Sequence, residues 1–436
     1  MAGHERPVFC LQKSDQTDQT HLPVLDGIRG LAILLVLVSH ISERFKFDGH
    51  LLGSAKKIAF AGRTGVDLFF VLSGFLITGI LWDAKENTHY FRNFYARRTV
   101  RIFPIYYVTL LGIFALLPGA LPLFHHLPDK VWQTAHDQIG LYQQTRHYWG
   151  WYITYLVDVL IAWKGFMMPG HFWTLAVEEH FYLVWPFLVC FLRYRALVFT
   201  SLGIIVGAFL LRAVLIPFLN PVAIYVLTPC RMDGLALGSL IALLFRAPGG
   251  GQRLSAAARV VLPVTALLWA SLMFYRRGWL QYGGLAQTVG YTVTAFFYGS
   301  FLVMALSAKR IGSLVSGKAL RFVGKLSYGI YIFHVFAFFL LAPLFALGDS
   351  THYSIIHTFA SHLPSAFGRR FWLALDGIAY VILAVGSSLL IALISWHLLE
   401  QPCLRLKRFF PMKQTGQETR STPPVPAQPS AAETVL

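Results

Sequence analysis

Eleven stretches of this sequence are almost wholly apolar: about 25–41, 64–82, 104–121, 148–163, 173–192, 197–215, 229–245, 260–275, 286–307, 326–346 and 373–398. A helix of about 20 residues spans a hydrocarbon core about 30 Å thick. A chain with this many such runs is expected to be an all-α, polytopic helical bundle in a bilayer. Composition agrees, since only 13% of residues are charged and mean hydropathy is +0.57. Soluble domains carry about 25% charged residues. In a soluble chain the net charge of +17 would suggest a nucleic-acid partner. Here the basic residues sit in short connections between apolar runs, where they orient helices against lipid. The partner implied is the bilayer, with no nucleic acid.

The distribution of Lys and Arg decides how many runs cross. With all eleven crossing and the N-terminus inside, 12 fall inside and 22 outside, the reverse of the positive-inside rule. Inverting the whole chain repairs the count but places the N-terminus outside. Taking 148–163 as an interfacial or re-entrant helix instead gives 22 inside and 12 outside. That segment is short, aromatic-rich and contains Asp158. The expected topology is therefore about ten spans with both termini cytosolic. Residues 1–21 form a polar segment without the apolar region of a signal peptide. Residues 22–408 form the membrane domain. Residues 409–436, rich in Pro, Ser, Thr, Gln and Ala toward the end, form a disordered cytosolic tail. The four cysteines are far apart, and neither a disulfide framework nor a metal site is expected.

Ionisable residues within spans point to function by default. The first span carries Asp26, Arg29 and His40. Eleven residues separate Arg29 from His40, three helical turns plus about 20°, so they share a face roughly 16 Å apart. Each also has an ordinary account, a snorkelling Arg and a buried hydrogen-bonded His. In the second span, Asp67 is placed to pair with Arg63 or to hold a catalytic His in one tautomer. Ser73-Gly74 suits close helix packing. Next, Arg97, Arg98 and Arg101 put several guanidiniums on one helical face. A topology anchor needs only charge, whereas Arg grips phosphate in a bidentate fork. The run HFWTLAVEEHFYLVWP brings Glu178 and Glu179 beside His180 at membrane depth, with Glu178, Tyr182 and Trp185 on one face. Arg231 and Asp233 are expected to neutralise one another, and Gly234 with Gly238 to pack closely. Ser327, Tyr331 and His334 form a polar strip that either lines a cavity or joins helices. Gly312–Lys318 mimics a phosphate-binding loop but has Ala319 where a Ser or Thr is needed and no preceding strand.

Several of these pieces occur together in one family. Arg29-x10-His40, GVDLFFVLSGFLIT (65–78), Arg98-x-x-Arg101 before Ile-Phe-Pro, FWTLAVEEHFYLVWP (172–186), RMDGLALGSLIA (231–242), GKLSYGIYIFH (324–334) and LLEQP (398–402) closely resemble the acyltransferase family 3 membrane proteins. The resemblance covers about 22–408. Thr174 and His180 depart from the family's usual Ser and Gln. It implies O-acylation: transfer of an acyl group, usually acetyl, from cytosolic acyl-CoA to a hydroxyl of a carbohydrate or glycoside at the outer side of the inner membrane. Acyl-CoA would be the donor substrate, with no permanently bound cofactor. Independently of the family, attack of a hydroxyl on a thioester needs a base that titrates near neutrality, which His40 supplies. The candidate catalytic residues are His40, Arg29, Glu178 and Asp67; those for CoA are Arg97, Arg98 and Arg101. Ser73, Tyr182, Tyr331 and His334 are candidate channel-lining residues. The alternative reading is a proton-coupled transporter of a small polar solute, which also places His, Glu and Arg within spans. Such carriers usually show paired halves, whereas the polar groups here concentrate in residues 26–180.

Overall fold

The computed structural model describes residues 22–44, 58–120, 140, 142–275, 283–341 and 369–412. The expectations for 1–21 and for the tail beyond Met412 lie outside the described residues. The described chain is helical, and nine of its helices are long and apolar enough to cross a membrane. This is a multi-pass membrane protein. The principal helices are α1 (Pro23–Arg44), α2 (Gly65–Asp83), α3 (Tyr90–Leu111), α4 (Trp149–Ile153), α5 (Val157–Lys164), α6 (Trp173–Phe191), α7 (Tyr194–Leu215) and α8 (Pro221–Val226). They continue with α9 (Thr228–Phe245), α10 (Gly250–Tyr275), α11 (Tyr291–Ser307), α12 (Lys309–Val315), α13 (Lys318–Lys325), α14 (Ser327–Leu341) and α15 (Arg369–Ser395). Beyond α15 the chain stays helical to Phe409.

Side-chain pairings fix the direction of each helix. His40 of α1 meets His334 of α14 at one end of the bundle, while Gly324 of α13, just before α14, abuts the Asp26 carbonyl of α1 at the other. Arg231 of α9 pairs with Asp67 of α2 near the His40 end, and Arg246 grips Asp83 in a bidentate fork at the Arg29 end. On α3, the Ile102 carbonyl receives the Tyr328 hydroxyl, whereas Tyr106 packs on Phe172 toward the His40 end. The helices α1, α2, α3, α6, α7, α9, α10, α11, α14 and α15 consequently alternate in direction. Pro23 and the segment around Leu406 lie at the same end. The segment 148–163 forms no helix long enough to cross. It forms helices of only 5 and 8 residues, separated by a break at which Tyr155 has φ 58°. Buried Asp158 anchors the segment by accepting from the backbone N–H and hydroxyl of Thr228.

Small residues set the closest helix contacts, as expected where lipid tails remove the hydrophobic drive between helices. A Cβ at Gly74 would fall 1.9 Å from the Leu235 carbonyl oxygen, and one at Gly238 2.0 Å from that of Val71. Neither position tolerates a side chain without separating α2 from α9. The sequence-based pairing of Arg231 with Asp233 is corrected by the structure. Arg231 bonds Asp67 at 2.6 Å, while Asp233 accepts from Arg212 at 2.8 Å. Arg212, which is fully buried, also donates to the Cys230 carbonyl and the Thr292 hydroxyl.

Candidate active site

A cavity of about 300 Å³ opens near one end of the bundle, with His40, His171, Thr174 and Tyr331 in its wall. Glu43 and Arg63, which pair with each other, stand at its lining with Phe166, Trp173 and Tyr225. His40 occupies the penultimate turn of α1, and its Nδ1 lies 3.0 Å from the Val36 carbonyl. A carbonyl only accepts, so this contact fixes the proton on Nδ1 and makes Nε2 the basic nitrogen.

Two further imidazoles adjoin it. The His334 ring meets that of His40 edge-on, with centroids 5.1 Å apart, and His171 packs against His334 at 5.3 Å. His334 Nδ1 donates to the Tyr331 and Ile330 carbonyls, at 2.8 and 3.1 Å. His171 Nε2 donates to the Ile332 carbonyl at 3.2 Å. The remaining nitrogens, His334 Nε2 and His171 Nδ1, are buried with no hydrogen-bond partner among the described residues. Backbone carbonyls thus hold all three rings in tautomers that present lone pairs. Beside them, Tyr331 donates to the His171 carbonyl at 2.6 Å and shares a short hydrogen bond with Thr174.

A second polar cluster lies deeper along the same helices. Thr174, Glu178 and Tyr182 follow one another on α6 at intervals of four residues, so they drift only about 40° per step and form one stripe. Tyr182 hydrogen-bonds Ser73 of α2, and Glu178 reaches both hydroxyls. The Arg98 guanidinium lies 5.0 Å from the centre of the Tyr182 ring. Arg29 pairs with Asp26 at 2.9 Å, within electrostatic reach of Arg98 and Arg101. Arg98 and Arg101 make no hydrogen bond or ion pair with the described residues. Arg97 is engaged, donating to the carbonyls of Lys407 and Phe410.

The chain matches the family model described as an acyltransferase domain, family 3, over residues 22–397. It belongs to the acyltransferase family 3. It is 25% identical to the peptidoglycan O-acetyltransferase OatA of Listeria monocytogenes over 383 residues, 83% of this chain and 56% of OatA. It is 26% identical to YrhL of Bacillus subtilis, which bears the same activity in its provisional name, over 88% of this chain and 55% of YrhL. The chain therefore spans about half the length of the curated relatives it matches. No solved structure matches.

Within this acyltransferase-family bundle, the residues singled out in the sequence divide between two clusters. His40 and Tyr331 line the cavity, with His334 buried behind the His40 ring; Arg29, Arg98, Arg101, Glu178, Tyr182 and Ser73 gather at the deeper cluster. Asp67 belongs to neither. Its carboxylate is committed to Arg231, not to Arg63 or a histidine, and Arg63 pairs with Glu43. Glu178 likewise faces Ser73, Tyr182 and Arg98 rather than the imidazoles. Trp185 packs in the core and donates to Thr78. His180 turns away toward Thr228 and Asp158. His171 was not singled out in the sequence; it sits in the single turn Gly170–Phe172 that opens α6. The carbonyls of Phe410 and Pro411 accept bonds from Arg97 and Asn93.

Proposed function

We propose that this protein is an O-acyltransferase that moves an acetyl group from acetyl-CoA to a hydroxyl of a cell-wall or related carbohydrate. Its place would be the cytoplasmic membrane, with the Arg29 end toward the cytosol and the His40 cavity toward the outside. The observation that carries this reading is the His40 imidazole, its Nδ1 proton held by the Val36 carbonyl, in the wall of the 300 Å³ cavity. His40 Nε2 takes the proton of the acceptor hydroxyl as its oxygen attacks the thioester carbonyl. The new C–O bond forms, the C–S bond breaks, and the proton passes from His40 to the departing CoA sulfur. The acceptor class follows the relatives, which are named for peptidoglycan O-acetylation. Asp67 is left out of the chemistry, because its ion pair with Arg231 accounts for it. The Arg98–Arg101 pair lies at the other end of the Thr174–Glu178–Tyr182 stripe, where fixed positive charge suits the phosphates of CoA.

The test is purified protein with acetyl-labelled acetyl-CoA and solubilised peptidoglycan fragments. Release of CoA with label in ester linkage is the expected result. Passage of a solute in reconstituted vesicles, without acyl transfer or CoA release, would replace this reading with the transporter.

A further inference from the structure

The deeper cluster also takes in a basic residue from the C-terminal end of the described chain. Lys407 lies in the last helical turn, Leu406–Phe409, which folds back against α3. Three hydrogen bonds hold this segment. Arg97 Nη1 donates to the carbonyls of Lys407 and Phe410 at 3.4 and 3.1 Å, and Asn93 donates to the Pro411 carbonyl at 2.7 Å. Lys407 is thereby brought within electrostatic reach of Arg101, Arg98, Arg97 and Arg29.

This is an unusual place for an ammonium group. Like charges drawn together in a low-dielectric region repel unless something neutralises them. Arg29 has Asp26. Arg98, Arg101 and Lys407 are half-buried, yet none makes a hydrogen bond or ion pair with any described residue. Glu178, Glu179 and Glu400 act on the arginines through space without reaching ion-pair distance. Two guanidiniums and an amine with no hydrogen bond or ion pair among the described residues fit a compact polyanion with several acceptor oxygens better than one carboxylate. A pyrophosphate meets that description.

We propose that Lys407, held over α3 by Arg97 and Asn93, completes a polyphosphate-binding site with Arg98 and Arg101. The C-terminal segment is then part of the ligand site, and Arg97 is a positioning residue that acts through it. The identification of that polyphosphate as the diphosphate of CoA rests on the donor assigned under the proposed function.

Two probes separate the site from the donor. Binding of CoA and of inorganic pyrophosphate to the purified full chain should both weaken about tenfold in K407M, the size expected for losing one charge-assisted contact. K407R should bind both like the wild type, with melting temperatures equal in all three proteins. If pyrophosphate binds in a Lys407-dependent way and CoA does not, the site stands and the donor assignment falls. If K407M binds CoA as tightly as the wild type, the inference is overturned and the donor assignment survives. Equal losses in K407R and K407M would assign the effect to packing and also overturn it. Failure of the wild type to bind either probe would overturn both.

Discussion

The His334 ring stands edge-on to that of His40, 5.1 Å between centroids, and both rings direct Nδ1 at backbone carbonyls of their own helices. An imidazole with its proton fixed in this way does not need a carboxylate to choose its tautomer. The carbonyl four residues earlier, available on any helix, supplies this constraint. His334 then acts on His40 by packing and by the lone pair it leaves in the same region.

Replacing His40 removes the only group in the cavity wall to which proton abstraction has been assigned. H40A should lower transfer by about 10²–10⁴-fold, the usual range for losing a general base. Expression and membrane insertion should be unchanged, because the side chain is only partly buried and α1 keeps its apolar contacts. Transfer assays on equal amounts of inserted protein check this, and full activity would end the assignment.

His334 should behave differently. In H334N the amide can still donate to the Tyr331 carbonyl, while the Nε2 lone pair is lost. The expected result is a fall in kcat of roughly tenfold with KM for acetyl-CoA unchanged and the melting temperature retained. A raised KM with unaltered kcat would instead place His334 in ligand binding.

Arg98 and Arg101 are expected to grip the donor by shape as well as by charge. The R98K/R101K double variant keeps the topology charge and loses both planar forks. KM for acetyl-CoA should rise by at least about tenfold, with insertion preserved. An unchanged KM would reduce the pair to an anchor.

Most of the bundle was legible in the sequence, because hydrocarbon imposes one solution on long apolar runs. The pairing of charges was less so. Arg231 and Asp233 are close in sequence but two residues apart on a helix, about 200° around the axis, so they point to opposite sides. Each found its partner on another helix, and only packing could show which. His171 escaped notice because it lies in one turn just outside an apolar run, where neither periodicity nor span position marks it. Lys407 was hidden for a related reason. In a basic stretch next to a Pro-rich tail, nothing local distinguishes a ligand-facing lysine from a topology anchor.

The buried Arg212–Asp233 pair gives a stability test independent of catalysis. Arg212 is fully buried, so removing Asp233 leaves a guanidinium without its counter-charge. D233L should cost about 3–5 kcal/mol, whereas the double variant R212M/D233L, which removes both charges, should recover most of that loss. Thermal denaturation in one detergent checks the order of stability. A double variant as unstable as D233L would show that Arg212's bonds to Cys230 and Thr292 matter more than the pair.

Relative directions in the bundle place His40, Asp67 and Arg231 toward one end, and Arg29, Asp83 and Arg246 toward the other. Among the described residues, most Lys and Arg outside the apolar runs lie at the Arg29 end, such as Lys85, Arg97, Arg193, Arg253, Lys309 and Lys318, so the positive-inside rule predicts that this end faces the cytosol. Lys164 is exposed at the His40 end, close to the cavity residues Phe166 and Met167; Lys309 is exposed at the Arg29 end, where α12 packs under α1. In a cysteine-free background, K164C should react with a membrane-impermeant maleimide in intact cells, and K309C only after permeabilisation. The reverse pattern would invert the protein. His40 would then face the cytosol, and transfer to an external acceptor by this route would be excluded.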